Sequence, residues 1–199
     1  MAISYPLSLP TASGIRAVEF RATNAVAYSM SPFTFSGQAH AYPGQMWQAD
    51  ITLAPMRDRA DAEEWNAFLL SLFGQSGTFL LGDPNGGSLR GTATSCTITG
   101  SAGANTVSAI VTSGRTLLAG DYIQLGSGAS SRLHKVLKNY TGTGSGSNLE
   151  IWPSLRASVS SSAATLSNCR GVFRLASNET GWAADISNYS ITFAAREAL

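Results

Sequence analysis

The two histidines, His40 and His134, are the side chains best suited to proton transfer or metal binding near neutral pH. They stand far apart in a chain of 199 residues. Neither has Cys, Asp or Glu at ligand spacing, so each reads as a strand histidine with local hydrogen bonds. Paired carboxylates could cleave a glycoside, but the candidates have simpler reasons for their positions. Glu63 and Glu64 suit the first turn of a helix, where the macrodipole favours negative charge, and Asp83 and Asp121 are turn formers beside Gly and Pro. Gly74-Gln75-Ser76-Gly77 is one residue short of a nucleophile elbow and follows a helix instead of a strand. Gly126-Ser127-Gly128-Ala129-Ser130-Ser131 is glycine-rich but has no Lys where a phosphate loop needs one, so it reads as a hairpin loop. Cys96 and Cys169 are too few for a disulfide scaffold and too widely separated for a zinc knuckle, and free reduced thiols are expected. Trp47, Trp65, Trp152 and Trp182 could line a sugar site, although single tryptophans in alternating strands usually belong to a core or an interface. The expectation is a protein that is not an enzyme, with no catalytic residue, no cofactor-binding residue, no metal ligand and no cofactor.

Composition points away from several partners. Hydrophobic residues make up 44% of the chain, but charged residues only 13%, and the net charge is +1. Ordinary domains carry about a quarter charged residues, so this surface must be largely Gly, Ser, Thr, Asn and Ala. Such a surface suits a subunit whose faces are covered by other subunits, because charge is depleted at interface cores; it also suits a secreted adhesive module. The basic residues are scattered, and Arg132, Lys135 and Lys138 form the one local cluster, read here as a solvated face. Stable DNA binding is therefore not expected, since duplex affinity comes from clustered Lys and Arg. The N-terminus lacks the basic and apolar regions of a secretory signal, and no apolar run approaches the roughly 20 residues that span a bilayer. No membrane association is expected, and the default is synthesis in a cytoplasm.

The elements that must position these residues are mostly strands. Segments 17–21, 24–30 and 33–35 are short runs rich in Val, Phe and Tyr. Trp47-Gln48-Ala49-Asp50-Ile51-Thr52-Leu53 alternates apolar and polar residues, the pattern of a half-buried strand, and Pro55 ends it. A helix follows, with Asp58 or Asp61 as N-cap, an Asp61/Glu64 pair at capping-box spacing, and Gly74 as C-cap. Its Trp65, Phe68, Leu69 and Leu72 form one apolar stripe. Segment 78–81 reads as a strand before the turn at residues 82–87. From there to about Cys169 the chain is dominated by Gly, Ser and Thr, with apolar runs at 97–99, 107–111, 122–125, 134–137 and 149–152. Short strands about ten residues apart suggest a small barrel or sandwich, with the tract 141–147 as a long hairpin tip. Longer strands return at 171–176 and 189–193 and need partners, which the N-terminal sheet supplies. The expected organisation is therefore a discontinuous outer domain, 1–87 and 169–199, with 88–168 inserted; two consecutive domains are the alternative. An insertion leaves and rejoins its host at neighbouring points, so Gly86-Gly87 and Cys169-Arg170 should meet, and residues 88–168 should be removable.

Several phrases carry a family resemblance: Tyr5-Pro6-Leu7, Ala54-Pro55-Met56-Arg57, Ala62-Glu63-Glu64-Trp65-Asn66-Ala67-Phe68-Leu69 and Gly77-Thr78-Phe79-Leu80-Leu81-Gly82-Asp83-Pro84. Downstream are Leu118-Ala119-Gly120-Asp121-Tyr122-Ile123-Gln124-Leu125-Gly126, Arg132-Leu133-His134-Lys135-Val136-Leu137 and Ile191-Thr192-Phe193-Ala194-Ala195-Arg196-Glu197-Ala198. Together they resemble a distal or minor tail protein of long-tailed bacteriophages. The resemblance implies a mainly β fold: a tail-tube-like β-sandwich with one flanking α-helix, plus an inserted small OB-like β-barrel. It also implies a hexameric ring at the tail tip of the virion, assembled in the host cytoplasm, that joins tail tube protein to tail hub and tail fibre proteins and leaves a lumen for genome ejection. A carbohydrate- or receptor-binding tail module is the alternative function, favoured if Trp152 or Trp182 were exposed beside a groove.

Overall fold

The alternation of residues 47–53 is realised, with Trp47, Ala49, Ile51 and Leu53 buried and the residues between them half-buried. The computed structural model describes residues 3–11, 14–185 and 188–199. Strands β1 (Ile15–Met30) and β2 (Gly37–Leu53) form a long antiparallel hairpin that pairs Ile15 with Leu53 at its base and Met30 with Gly37 at its tip. Segments 17–21 and 24–30 are thus one strand, and residues 33–35, expected as a strand, belong to the turn. Strand β2 runs through Pro43 because the ladder is irregular there. Asn24 pairs with Gln45 and the next pair is Val26 with Ala41, so the missing N–H falls where there is no regular partner.

Helix α1 (Arg59–Ser71) starts at Asp58, whose side chain accepts the Ala60 N–H at 2.9 Å. Asp61, not Glu63 or Glu64, is consequently the acidic residue of the first turn, and Glu63 lies 3.5 Å from Arg59 one turn back. The stripe Trp65, Phe68, Leu69 and Leu72 is buried as its spacing requires. The helix ends earlier than Gly74: Leu72 is the C-cap, and Phe73 (φ +47°) and Gly74 (φ +64°) both take left-handed backbone. A side chain at Gly74 would also press on Asn178, so the glycine answers a close approach as well as a dihedral angle.

Strand β3 (Phe79–Leu81) follows, and then eight short strands: β4 (Cys96–Gly100), β5 (Thr106–Val111), β6 (Thr116–Leu117), β7 (Tyr122–Leu125), β8 (Arg132–Val136), β9 (Tyr140–Thr141), β10 (Ser147–Trp152) and β11 (Val159–Ala163). The chain closes with β12 (Gly171–Leu175), β13 (Trp182–Ala184) and β14 (Tyr189–Glu197). The protein is mainly β, with antiparallel sheets and a single α-helix among the described residues. One sheet has the order β1-β2-β14-β12-β3 with β13 beside β14, so the last strand fits between the hairpin and β12. The other has the order β11-β4-β5-β10-β8-β7, and a bridge between Gln124 and Thr165 brings its two ends together in a partial barrel. Helix α1 lies on the first sheet, where Trp65 meets Phe68 and Phe193 at 5.8 and 6.3 Å and Phe68 meets Phe79 at 5.7 Å. A second apolar cluster, including Ile98, Val107, Leu117, Ile123, Leu149 and Ile151, fills the curled sheet.

The chain leaves the first sheet and returns to it at neighbouring points, as expected: the Asn168 N–H donates to the Gly87 carbonyl at 3.0 Å. The two sheets are also locked together elsewhere. The Trp47 indole N–H donates to the Leu133 carbonyl at 2.9 Å, and its ring meets Trp152 edge-on at 4.4 Å. Glu197, 4% exposed, accepts from the Arg156 guanidinium at 2.7 Å and from the Trp47 backbone N–H at 3.2 Å.

Candidate functional site: the projecting hairpin

Between Arg21 and Asp50 the chain contains no Asp, Glu, Lys or Arg. This stretch is the outer part of the β1–β2 hairpin, and from Arg21 to Gly44 every residue except Ser31 is exposed. At about 3.3 Å per residue, residues 37–45 carry the tip roughly 25 Å beyond the last clamped pair. The two faces differ in chemistry because residues opposite each other in an antiparallel ladder share a face. Val26 with Ala41, Tyr28 with Ala39 and Met30 with Gly37 form an apolar face. Tyr28 folds over Gly37, where any side chain would collide with its ring. Ala27 with His40 and Ser29 with Gln38 form the opposite, polar but uncharged face, on which His40 meets Tyr42 edge-on at 4.7 Å.

The tip is a built turn. The Ser31 N–H donates to the Ser36 carbonyl and the Phe35 N–H to the Ser31 carbonyl, both at 2.9 Å. Phe33 is 92% exposed and Phe35 73%, and Phe35 adopts a left-handed backbone at φ +54°. Exposure and an unfavourable dihedral on one aromatic residue both disfavour this conformation in an isolated chain. The base is clamped by the second sheet. Asn24 Oδ1 accepts the Trp152 indole N–H at 2.8 Å, Gln45 Oε1 accepts the Ser154 N–H at 2.7 Å, and the Gln45 carbonyl accepts from Arg156 at 2.6 Å. Beyond the clamp the arm is two strands wide. Since β1 pairs only with β2, the outer edge of β1 offers backbone donors and acceptors to another chain.

The two histidines singled out from sequence are not brought together, whereas Asp83, Asp121 and Lys135 line one hollow between the turn at residues 82–87 and β7. His134 is buried on β8, and its Nδ1 lies 2.7 Å from the Pro153 carbonyl, whereas His40 is on the exposed arm. Asp121 is buried and accepts N–H groups from Leu118, Arg90 and Gly91 at 2.8, 3.0 and 3.2 Å, which explains it as the tie of a turn. Asp83 accepts the Asn85 N–H at 2.9 Å. The basic cluster is not one solvated face: Lys138 pairs with Glu150 at 2.7 Å, while Lys135 is half-buried over the Tyr122 ring, 4.4 Å from its centroid. Trp47 and Trp65 are core, Trp152 is half-buried and engaged with Trp47 and Asn24, and Trp182, on β13, is 42% exposed. Cys96 and Cys169 are free and buried, and burial pushes both thiols up to about 11. Among the described residues no group of three or more His, Cys, Asp or Glu could hold a metal ion, and no helix is long and apolar enough to cross a membrane. The chain matches no protein-family model, and comparison with curated proteins finds no match.

Burial, and then the charges of Arg156 and Arg132, lower the His134 imidazole to about 4, against the hydrogen bond to Pro153. In the unfolded chain the ring takes a proton near pH 6.5. The unfolded state therefore binds more protons between about 6.5 and 4, so this group costs nothing above pH 6.5 and lowers stability progressively as pH falls through that window. Below about 4 its effect is constant. Denaturation midpoints measured from pH 7.5 to 4 should fall more steeply for the wild type than for His134→Gln. Parallel curves would contradict the burial argument.

Proposed function

We propose that this protein is a structural ring subunit at the distal end of a bacteriophage tail. In this reading residues 1–87 and 169–199 form a tail-tube-like β-sandwich with one flanking helix, and 88–168 an OB-like barrel inserted into it. The observation that carries the proposal is the projecting, uncharged, two-faced hairpin with a free edge. A two-stranded arm is marginal alone in water, and this one exposes Val26, Tyr28, Met30, Phe33 and Phe35. Copies set side by side cover it: the free edge of β1 pairs with the next subunit and the apolar face packs inward. The face with Ser29, Gln38 and His40 is then left to line a lumen. A wall without cations gives passing DNA no counterion-releasing grip, which suits ejection. One surface meeting a different surface of the next copy closes into a ring, and a hexamer joining tube, hub and fibres is the form the family resemblance supplies.

The test is assembly. Replacing residues 25–42 by a two-residue Asn-Gly turn removes exposed chain, so the melting temperature should change little. The variant should nevertheless fail to enter tails when it complements a phage lacking the gene. In wild-type virions cryo-microscopy should place the chain in a six-fold ring between tube and fibres. Tails that assemble normally with the shortened hairpin, or a chain found on the capsid or only at a fibre tip, would overturn the proposal, the last in favour of a receptor-binding module.

A further inference from the structure

The face of the first sheet that points away from α1 carries a row of charge across four strands. Arg21 stands opposite Gln48, Gln48 opposite Arg196, and Arg196 opposite Arg174. Their chain neighbours Trp47, Ala195, Phe173 and Leu175 are buried in the core, so the alternation of a strand turns the row outward. In the next row Glu19 stands opposite Asp50, and Asp50 opposite Ala194. Arg21 holds both of these carboxylates, Asp50 at 2.7 Å and Glu19 at 3.0 Å. Arg174 and Arg196 are left over: both are half-buried, and neither forms an ion pair among the described residues. Arg174 gives one N–H to the Gln75 carbonyl at 3.3 Å, which leaves most of its five donors free. Like charges directly opposite each other destabilise an antiparallel pair, so the chain by itself gives no reason for this one.

Two arginines side by side call for an oxyanion, which their planar groups hold through paired N–H donors. The surroundings narrow its source. A hollow opens beside Arg196, floored by Ala176 and Ala194 and walled by Met46, Gln48 and Asp50. Its volume of about 240 Å³ lies below the roughly 300–1,000 Å³ of small-ligand sites, which suits one side chain of a larger partner. Across the two rows three guanidinium groups stand against two carboxylates, so a single carboxylate from outside brings the face to neutrality. A run of phosphates would overshoot that balance and lie against Glu19 and Asp50. We infer that this face docks an acidic segment of a partner polypeptide, with one side-chain carboxylate bridging Arg174 and Arg196 and its aliphatic stem over Ala176 and Ala194. The inference does not depend on the ring reading, because it uses the body of the sheet and none of the projecting arm.

The experiment is an NMR titration of the full chain at low salt, followed through the arginine Nε–H signals, with acetyl-Ala-Glu-Ala amide, acetyl-Ala-Gln-Ala amide and a short DNA duplex. The glutamate peptide should shift Arg174 and Arg196 saturably and bind about tenfold more tightly than the glutamine peptide, the worth of one charged contact. Arg196→Gln should reduce the glutamate peptide to the level of its neutral counterpart. The same variant, free of ligand at low salt, should melt no lower than the wild type, because it removes the like-charge pair. Equal binding of the two peptides, or shifts confined to other arginines, would overturn the site. So would a fall of several degrees in the melting temperature of Arg196→Gln, which would make this arginine a tie of the fold. DNA that binds more tightly than the glutamate peptide and is lost with Arg196→Gln would overturn the polypeptide assignment. Should the variant fail to fold, the comparison of the two peptides on the wild type still decides.

Discussion

Trp65→Ala is expected to destabilise the chain by about 3–5 kcal/mol, the range for truncating a large buried aromatic residue. Trp65, the first residue of the helical stripe, is 1% exposed. Its ring makes an edge contact with Phe68 at 5.8 Å and a tilted one with Phe193 at 6.3 Å, so it couples α1 to β14. The surrounding rings are themselves tied to Phe79 on β3, with Phe68 at 5.7 Å and Phe193 at 6.1 Å, which limits how far the site can collapse into the space. For a chain of this size each kcal/mol shifts the melting temperature by about 2–4 °C, so a fall of roughly 6–20 °C is expected. Denaturant unfolding with an unchanged slope is the check. A loss within about 0.5 kcal/mol, typical of exposed positions, would mean that the helix is not docked through this face.

Glu197→Ala is expected to cost about as much by a different route, roughly 3–5 kcal/mol, because it strands a charge. Glu197 ends β14 and is buried against the other sheet, accepting the Arg156 guanidinium at 2.7 and 3.4 Å and the Trp47 N–H at 3.2 Å. Truncation leaves Arg156, whose side chain is 18% exposed, with only the Gln45 carbonyl at 2.6 Å, and leaves the Trp47 N–H without its acceptor. If the cost comes from the uncompensated cation, the double variant Glu197→Ala/Arg156→Met should recover a large part of it. A double-mutant cycle isolates that coupling. Additive losses would show that the two residues act independently. The same contacts bear on the expectation that residues 88–168 are removable. Excision would expose Trp47, which packs on Trp152 and donates to the Leu133 carbonyl, and would remove the guanidinium that Glu197 accepts from. The shortened chain should therefore be clearly less stable than the whole.

What the sequence determined by itself is the local, periodic part of this protein. The stripe of α1, the alternation of residues 47–53 and the short strands in the Gly/Ser/Thr-rich stretch were legible because burial on one side imposes a period of 3.6 or 2 on the residue types. Asp121 and Asp83 were legible as turn residues for an equally local reason, since a short carboxylate accepts backbone N–H groups a few positions away. The hairpin was decided by tertiary structure. Its outer half has no buried side, so burial imposes no apolar–polar alternation there, and segments 17–21 and 24–30 read as separate strands although one ladder runs through both. The one sequence signal for it is the absence of charge from residue 22 to 49. The contact of Glu197 with Arg156 and Trp47 was likewise decided by folding: the three come from β14, the loop after β10 and β2. Their pairing exists only once the two sheets meet, because a contact assembled from separate strands leaves no pattern along the chain.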